Sequence, residues 1–281
     1  MNDNWGARGR GVRLIDYTSK LFIIAHREDT KPLVESLTQQ GFDCEVLKQT
    51  FQPGYEDFSR SYLCLLNHCN AWEWVEEFQQ PALVVEADFV PVKHFAQLPV
   101  PFNVEQPDVG MAWLYTCASQ VYDISPEGFA QGYSTSMVAY LLHPRCVSHL
   151  LDFADAIAKD PGPRAYTAWD SELDSVLLAQ ELRNYIPFRN YGEHGSHNPN
   201  PEHKANGLSR THRADILYGP LAFPPLYSQD PQSWKVRIQA RFKGLIRLMV
   251  GRYVRLSVLR RAEVPFKILR FALRRQFSIR L

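Results

Sequence analysis

Apolar residues in this chain follow two rhythms. Short unbroken runs stand at residues 20–25 (KLFIIA), 82–85 (ALVV), 110–115 (GMAWLY) and 137–142 (MVAYLL). Runs of that length, rich in β-formers and bounded by polar or turn-forming residues, predict buried strands. Residues 42–47 (FDCEVL) alternate and predict a further strand. Between the first run and this one, Thr30 stands as a helix cap, Pro32 falls in the first turn, Leu33, Val34 and Leu37 share a face, and Gly41 ends the segment. Strand, helix and strand within about thirty residues is a βαβ unit and implies parallel pairing. Helical spacing also predicts helices over 60–78, halted by Pro81, over 146–158, entered through His143-Pro144, and over 169–182, which follows a loop holding Pro161, Gly162 and Pro163. The expected fold is therefore α/β, a mostly parallel Rossmann-type sheet flanked by helices.

The pattern changes at residues 187–225, where Gly, His, Asn and Pro displace periodicity. A long, polar connection of this kind is usually kept for function. It changes again near Trp234, where Trp234, Ile238, Phe242, Leu245 and Met249 recur at helical spacing among arginines and lysines, and Pro265 divides the segment into two helices. The whole chain carries a formal charge of +1, yet fourteen Lys and Arg stand against the single acid Glu263 beyond Trp234. By subtraction, about +13 on the tail leaves about −12 on the rest. The domain reading is a flexible N-terminus over 1–13, a catalytic domain over 14–230 and a basic amphipathic arm over 231–281. A basic helix carrying aromatic residues suits the surface of an anionic membrane, with docking on the chain's own acidic body or on a partner's as the alternative, and no recognised nucleic-acid-binding motif accompanies the charge. No run of about 18 apolar residues is present, and the polar, Gly-rich start lacks an apolar signal core. Five cysteines without a CxxC pair suit reduced thiols, so the expectation is a cytoplasmic protein held at the inner membrane face.

Candidate chemistry concentrates where the run at 82–85 ends in Glu86-Ala87-Asp88. Ligands of open α/β sheets bind beyond the carboxyl ends of strands. Residues two apart in extended chain share a face, so Glu86 and Asp88 can meet one hard cation such as Mn²⁺ or Mg²⁺; two solvated acids in a turn are the alternative. The loop at 191–218 gathers Glu193, His194, His197, Glu202, His203, His212, Arg213 and Asp215. These read either as polar loop residues bonded to nearby backbone or as the lining of a ligand pocket. Arg213 can clamp a diphosphate or pair with Asp215. Asp170, Glu172 and Asp174 suit a helix N-terminus as well as a catalytic role, and His68, on an apolar helix, suits a core position as well as a site.

Residues 61–92, SYLCLLNHCNAWEWVEEFQQPALVVEADFVPV, resemble the core of glycosyltransferase family 25, the lipopolysaccharide-biosynthesis and collagen galactosyltransferase group. That family carries Ser-His in a helix and then an apolar strand ending in Glu-Asp-Asp; the counterparts here are Asn67-His68 and Glu86-Ala87-Asp88. KLFIIAHRED, with His26, sits at the family's first donor-side strand. YSTSMVAYLLHPRCVSHLL resembles its later strand and helix, and a downstream Asp falls near Asp170. The resemblance spans roughly residues 20–185 and implies a GT-A-like fold, a nucleotide-sugar donor and a divalent metal. On this footing Glu86, Asp88 and a C-terminal histidine, His212, are expected to hold the metal. His26, Glu193, His194 and Arg213 are expected at the donor, with Asp170 as the base and His68 beside it. The acceptor would be a glycan or glycolipid, lipid-linked or polysaccharide. The missing middle acid, Ala87, and Asn67 in place of Ser leave one alternative: a membrane-associated scaffold of the same fold without turnover.

Overall fold

The computed structural model describes residues 11–196, 212–229 and 233–278. The chain opens with α1 (Leu14–Tyr17), β1 (Lys20–Ala25), α2 (Lys31–Thr38), β2 (Asp43–Lys48) and α3 (Arg60–Phe78). Then come β3 (Ala82–Glu86), the short β4 (Phe89–Pro91), β5 (Val109–Trp113), a hairpin of β6 (Gln120–Ile124) and β7 (Ala130–Tyr133), and β8 (Ala139–Leu142). After α4 (Pro144–Lys159) and α5 (Leu173–Leu178) follow β9 (Arg183–Ile186) and β10 (Gly192–His194). The tail forms α6 (Ser233–Met249), α7 (Leu256–Arg261) and α8 (Pro265–Gln276).

Eight strands make one helix-flanked sheet in the order β2-β1-β3-β8-β5-β9-β7-β6, and β10 pairs with β4 in a small second sheet. The βαβ opening pairs as expected, with β2, β1 and β3 parallel. Beyond β3 the sheet is mixed: β8 runs antiparallel to both β3 and β5, β5 and β9 are parallel, and β7 runs antiparallel to β9 and β6. Strand alternation divides the core. Phe22, Ile24, Val84, Tyr140 and Leu142 face the layer that contains α3, α4 and α8. Leu21, Ile23, Leu83, Val85 and Leu141 face the layer that contains α1 and α2.

Two expectations are corrected. The helix expected over 169–182 is a 3-10 turn at Trp169–Ser171 followed by the six-residue α5, and the chain then reverses through Glu181 at φ 60° into β9. RNYI is too short and too polar at its start to announce a strand. The N-terminus is also ordered sooner than expected: Val100 donates to the carbonyl of Val12 at 2.8 Å, and Arg13 pairs with Asp16.

The tail docks on the body with its arginines inward. Arg237 bonds the carboxylate of Glu193 and Arg247 the carbonyl of Cys117, while Arg241 ties α6 to the carbonyl of Ser278 just beyond α8. Arg275 is fully buried and meets Asp215 at 2.5 Å, where Gln276 adds a bond at 2.6 Å and Asn190 one at 3.0 Å. The boundary expected at residue 231 is therefore no break in packing, because the acids it would abandon are buried.

Removing one partner of a buried ion pair strands the other, at a cost of about 3–5 kcal/mol. Arg275→Ala should destabilise the chain by that order in urea titration at neutral pH. Burial pushes Asp215 up, but Arg275 and Gln276 outweigh it and hold the carboxyl below its ordinary value. A depressed carboxyl stabilises above its unfolded pKa and stops doing so as pH falls through its folded pKa. The difference between wild type and Arg275→Ala should shrink accordingly in acid. Equal stability at neutral pH would show that the pair contributes nothing.

Candidate active site

The site is built on the carboxyl ends of β1 and β3, which lie side by side with Ile24 in register with Glu86. Parallel pairing continues one residue further, Ala87 donating to the Ile24 carbonyl at 2.8 Å. His26, Glu86 and Asp88 are thus presented at one edge of the sheet. Ala87 packs against the layer beside α2, so the position lacking an acid sends its side chain away from its two neighbours. From α3, Asn67 donates to the carbonyls of Ala25 at 3.2 Å and Leu47 at 2.9 Å, tying the ends of β1 and β2 to the helix.

His68, one residue on, is fully buried behind Glu86. Trp72 donates its indole N–H to the hydroxyl of Tyr140 at 2.9 Å, which directs the Tyr140 proton to His68 Nδ1, also 2.9 Å away. The His68 Nε2 lies 3.9 Å from the Glu86 carboxylate, beyond hydrogen-bond distance, and has no closer partner. Burial pushes His68 down to about 3, so it stays neutral. His68 does not line the cleft. It packs behind Glu86 without bonding it.

β10 supplies what β3 lacks. Its antiparallel pairing with β4 sets His194 opposite Phe89, and the His194 Nε2 lies 2.8 Å from Asp88 Oδ2. The approach depends on glycine. A Cβ on Gly192 would stand 2.2 Å from the Phe89 ring, and one on Gly195 would stand 2.8 Å from the Asp88 carbonyl. Nδ1 of His194 faces the carbonyl of His212 at 3.3 Å, which fixes the ring with Nε2 toward the acids.

Charge follows from this geometry. Burial pushes Glu86 up, and the neighbouring Asp88 adds to the effect. Burial pushes Asp88 up as well, but the charge and hydrogen bond of His194 outweigh it and hold the carboxyl below its usual range. His194 is raised in turn, since Asp88, and then Glu86, overcome the cost of burying its charge. Ligand atoms of Glu86, Asp88 and His194 all lie within 4.8 Å of one another. Asp88 Oδ1 is buried without a partner. Two carboxylates, one imidazole and an orphaned oxygen fit a divalent cation that displaces the proton shared by Asp88 and His194.

These groups open onto a cleft of about 510 Å³. His26, Glu86, Asp88, Asp170, His194, His212 and Arg213 all line it. On one wall the His26 ring lies 5.4 Å from that of Phe51. On another, Asp170 is carried by the turn that Trp169 anchors, its indole donating to the Ser61 carbonyl at 3.0 Å and its ring packed edge-on to His68.

Three expected roles change. The histidine beside the acids is His194; His212 contributes its carbonyl, while its ring nitrogen lies 3.8 Å from Cys117 Sγ. Glu193 is fully buried on the opposite face of β10, bonded by the Ala214 N–H at 2.8 Å and by Arg237, so it holds the tail and not a donor. Arg213 neither pairs with Asp215 nor has its fork open to a diphosphate. It donates to the carbonyls of His194 and Ser196, each at 2.6 Å, with its guanidinium over the Tyr227 ring. His197, Glu202 and His203 lie outside the described residues. Phe51 and Gln49 at the cleft were missed, because nothing in a stretch of polar loop marks two residues that only the end of β2 brings there.

No protein-family model and no curated protein matches the chain. Among solved structures, a glycosyltransferase involved in glycosylating the major capsid of PBCV-1 is 8% identical, with a TM-score of 0.41 over 60% of this chain and 81% of that one. A Drosophila β1,4-galactosyltransferase 7 mutant in complex with manganese, UDP-Gal and xylobiose is 13% identical, with a TM-score of 0.36 over 69% of this chain and 76% of that one. Both likenesses are distant, and neither they nor any family model bears out the resemblance to family 25 in particular.

His194→Ala should weaken Mn²⁺ binding by about tenfold or more in calorimetric titration of the full chain. Replacing the His212 ring with Ala keeps the carbonyl and should leave the affinity within about twofold. The reverse ranking of His194 and His212 would move the metal ligand back to His212.

Proposed function

We propose that this chain is a glycosyltransferase of the hexosyltransferase class, moving a sugar from a nucleotide-sugar donor to a lipid-linked or polysaccharide acceptor. The observation that carries the reading is the convergence of Glu86, Asp88 and His194 at the strand-end edge of a cleft that also holds Asp170. Mn²⁺ or Mg²⁺ held there would offset the charge that builds on the leaving nucleoside diphosphate. The aromatic wall of His26 and Phe51 offers a face on which a nucleotide base can stack.

In transfer, the bond from the anomeric carbon to the diphosphate oxygen breaks and one to the acceptor oxygen forms. The leaving oxygen keeps the electron pair, and the acceptor hydroxyl must lose its proton. In an inverting transfer Asp170, which lines the cleft, would take it, a role worth about 10²–10⁴ in rate. The buried His68 cannot reach the acceptor and so is not the base.

Nucleotide sugars should be tested against the full chain for thermal stabilisation with and without Mn²⁺, because a ligand that binds only the folded state raises the melting point. One donor should stabilise the chain in a metal-dependent way and be slowly hydrolysed without acceptor. Asp88→Asn should abolish both effects with the circular dichroism spectrum unchanged. Asp170→Asn should keep the stabilisation and lower kcat for transfer by about 10²-fold or more. Stabilisation without turnover would favour the scaffold. A fully active Asp88→Asn would remove the metal from the reading.

A further inference from the structure

The tail helices are inside out. On α6 the residues turned inward include Arg237 and Arg247, bonded to a carboxylate and a carbonyl of the body, and Arg241, bonded to the Ser278 carbonyl just beyond α8. Its solvent side carries Trp234, Ile238, Phe242 and Met249, which are 59–75% exposed. Their spacing of four, four and seven keeps them on one stripe of the helix. The adjoining α8 repeats the arrangement: Ile268, Phe271, Ala272 and Arg275 are buried, while Phe266, Leu269, Leu273 and Phe277 face outward. Of seventeen large apolar residues exposed among the described residues, twelve lie between Trp234 and Phe277. Apolar surface gathered in this way marks an interaction face.

Charge decides the partner. Residues 233–278 hold thirteen Lys and Arg against Glu263. Arg237, Arg241, Arg247 and Arg275 turn inward, but Arg252, Arg255, Arg260, Arg261 and Lys267 are exposed. A second copy would bring this cationic face against itself. An anionic surface with an apolar interior satisfies both the charge and the apolar stripes. No helix among the described residues is long and apolar enough to cross a membrane. We infer that the outward stripes of α6 and α8 lie in the interface of an anionic lipid bilayer, with aromatic and aliphatic side chains inserted and the flanking cations among the headgroups. The inner side of α6 stays on the body, where Arg237 holds Glu193, the chain neighbour of His194. The docked cleft therefore stands close to the bilayer. This inference needs no metal, donor or turnover, and so stands or falls apart from the reading of the cleft.

The test is co-sedimentation of the full chain with phosphatidylcholine vesicles, plain or doped with phosphatidylglycerol. Binding is expected to the doped vesicles only and to weaken with added salt. Phe242→Ser with Phe266→Ser should lower it by about tenfold or more, because the lost area is apolar area inserted in lipid. Arg260→Gln with Lys267→Gln should lower it by about fivefold per charge. These side chains face solvent, so all four replacements should leave the melting point unchanged. Binding to doped vesicles that survives the paired Phe replacements would overturn the inference, as would no binding at all. So would a concentration-dependent dimer that the same replacements abolish, since a second copy would then cover the face.

Discussion

A carboxylate with almost no solvent, Asp215, holds the second half of this molecule together. Its two oxygens take Arg275 and Gln276 from α8, the amide of Asn190, and the backbone N–H of Ile216. Asn190 in turn accepts from the N–H and hydroxyl of Thr116, just beyond β5. Four separate stretches of chain therefore meet at one charge, and the segment that carries His212 and Arg213 is held between them. Such a charge is tolerable in a protein interior only while every partner is present. The mixed sheet, the strand-like extension at 190–194 and the tail are all bound by this requirement.

The cleft shows how one residue type is set to two opposite tasks. His68 is sealed among Trp72, Tyr140 and Trp169, has no charged partner closer than 3.9 Å, and remains neutral. His194 lies against Asp88 and carries its proton more firmly than an ordinary imidazole. One is packed behind Glu86 without bonding it, and the other faces the acids from the front. The arrangement keeps two carboxylates close together in an apolar surround, which a strand end alone could not do.

Much of this was legible in the sequence. The apolar runs located β1, β3, β5 and β8, because strands buried on both faces need continuous apolar residues. The acids of β3 stood out because two charges directly after such a run are costly without a purpose. The hairpin of β6 and β7 and the strand β9 did not, since QVYDI, AQGY and RNYI are short and carry polar residues that only their neighbours in the sheet make strand-like. The choice of His194 over His212 was equally hidden. It depends on a pairing between β4 and β10, about a hundred residues apart, that glycine makes sterically open but that no local pattern announces. The partners of the tail's inward arginines were hidden for the same reason: Glu193 and Asp215 are far away in sequence.

The pairing of Asp215 with Arg275 also orders events in time. The chain is made from its N-terminus, and sixty residues separate the acid from its counter-charge. Until the last of these has emerged from the ribosome, Asn190, Thr116 and Asp215 can assemble only with an unanswered negative charge in their midst. The sheet's first half, β1 to β3 with α2 and α3, carries no such debt and can condense early, as the leading units of nascent chains commonly do. The second half must wait. A pause or premature stop in the stretch between would leave the molecule half assembled, with Asp215 still lacking its counter-charge.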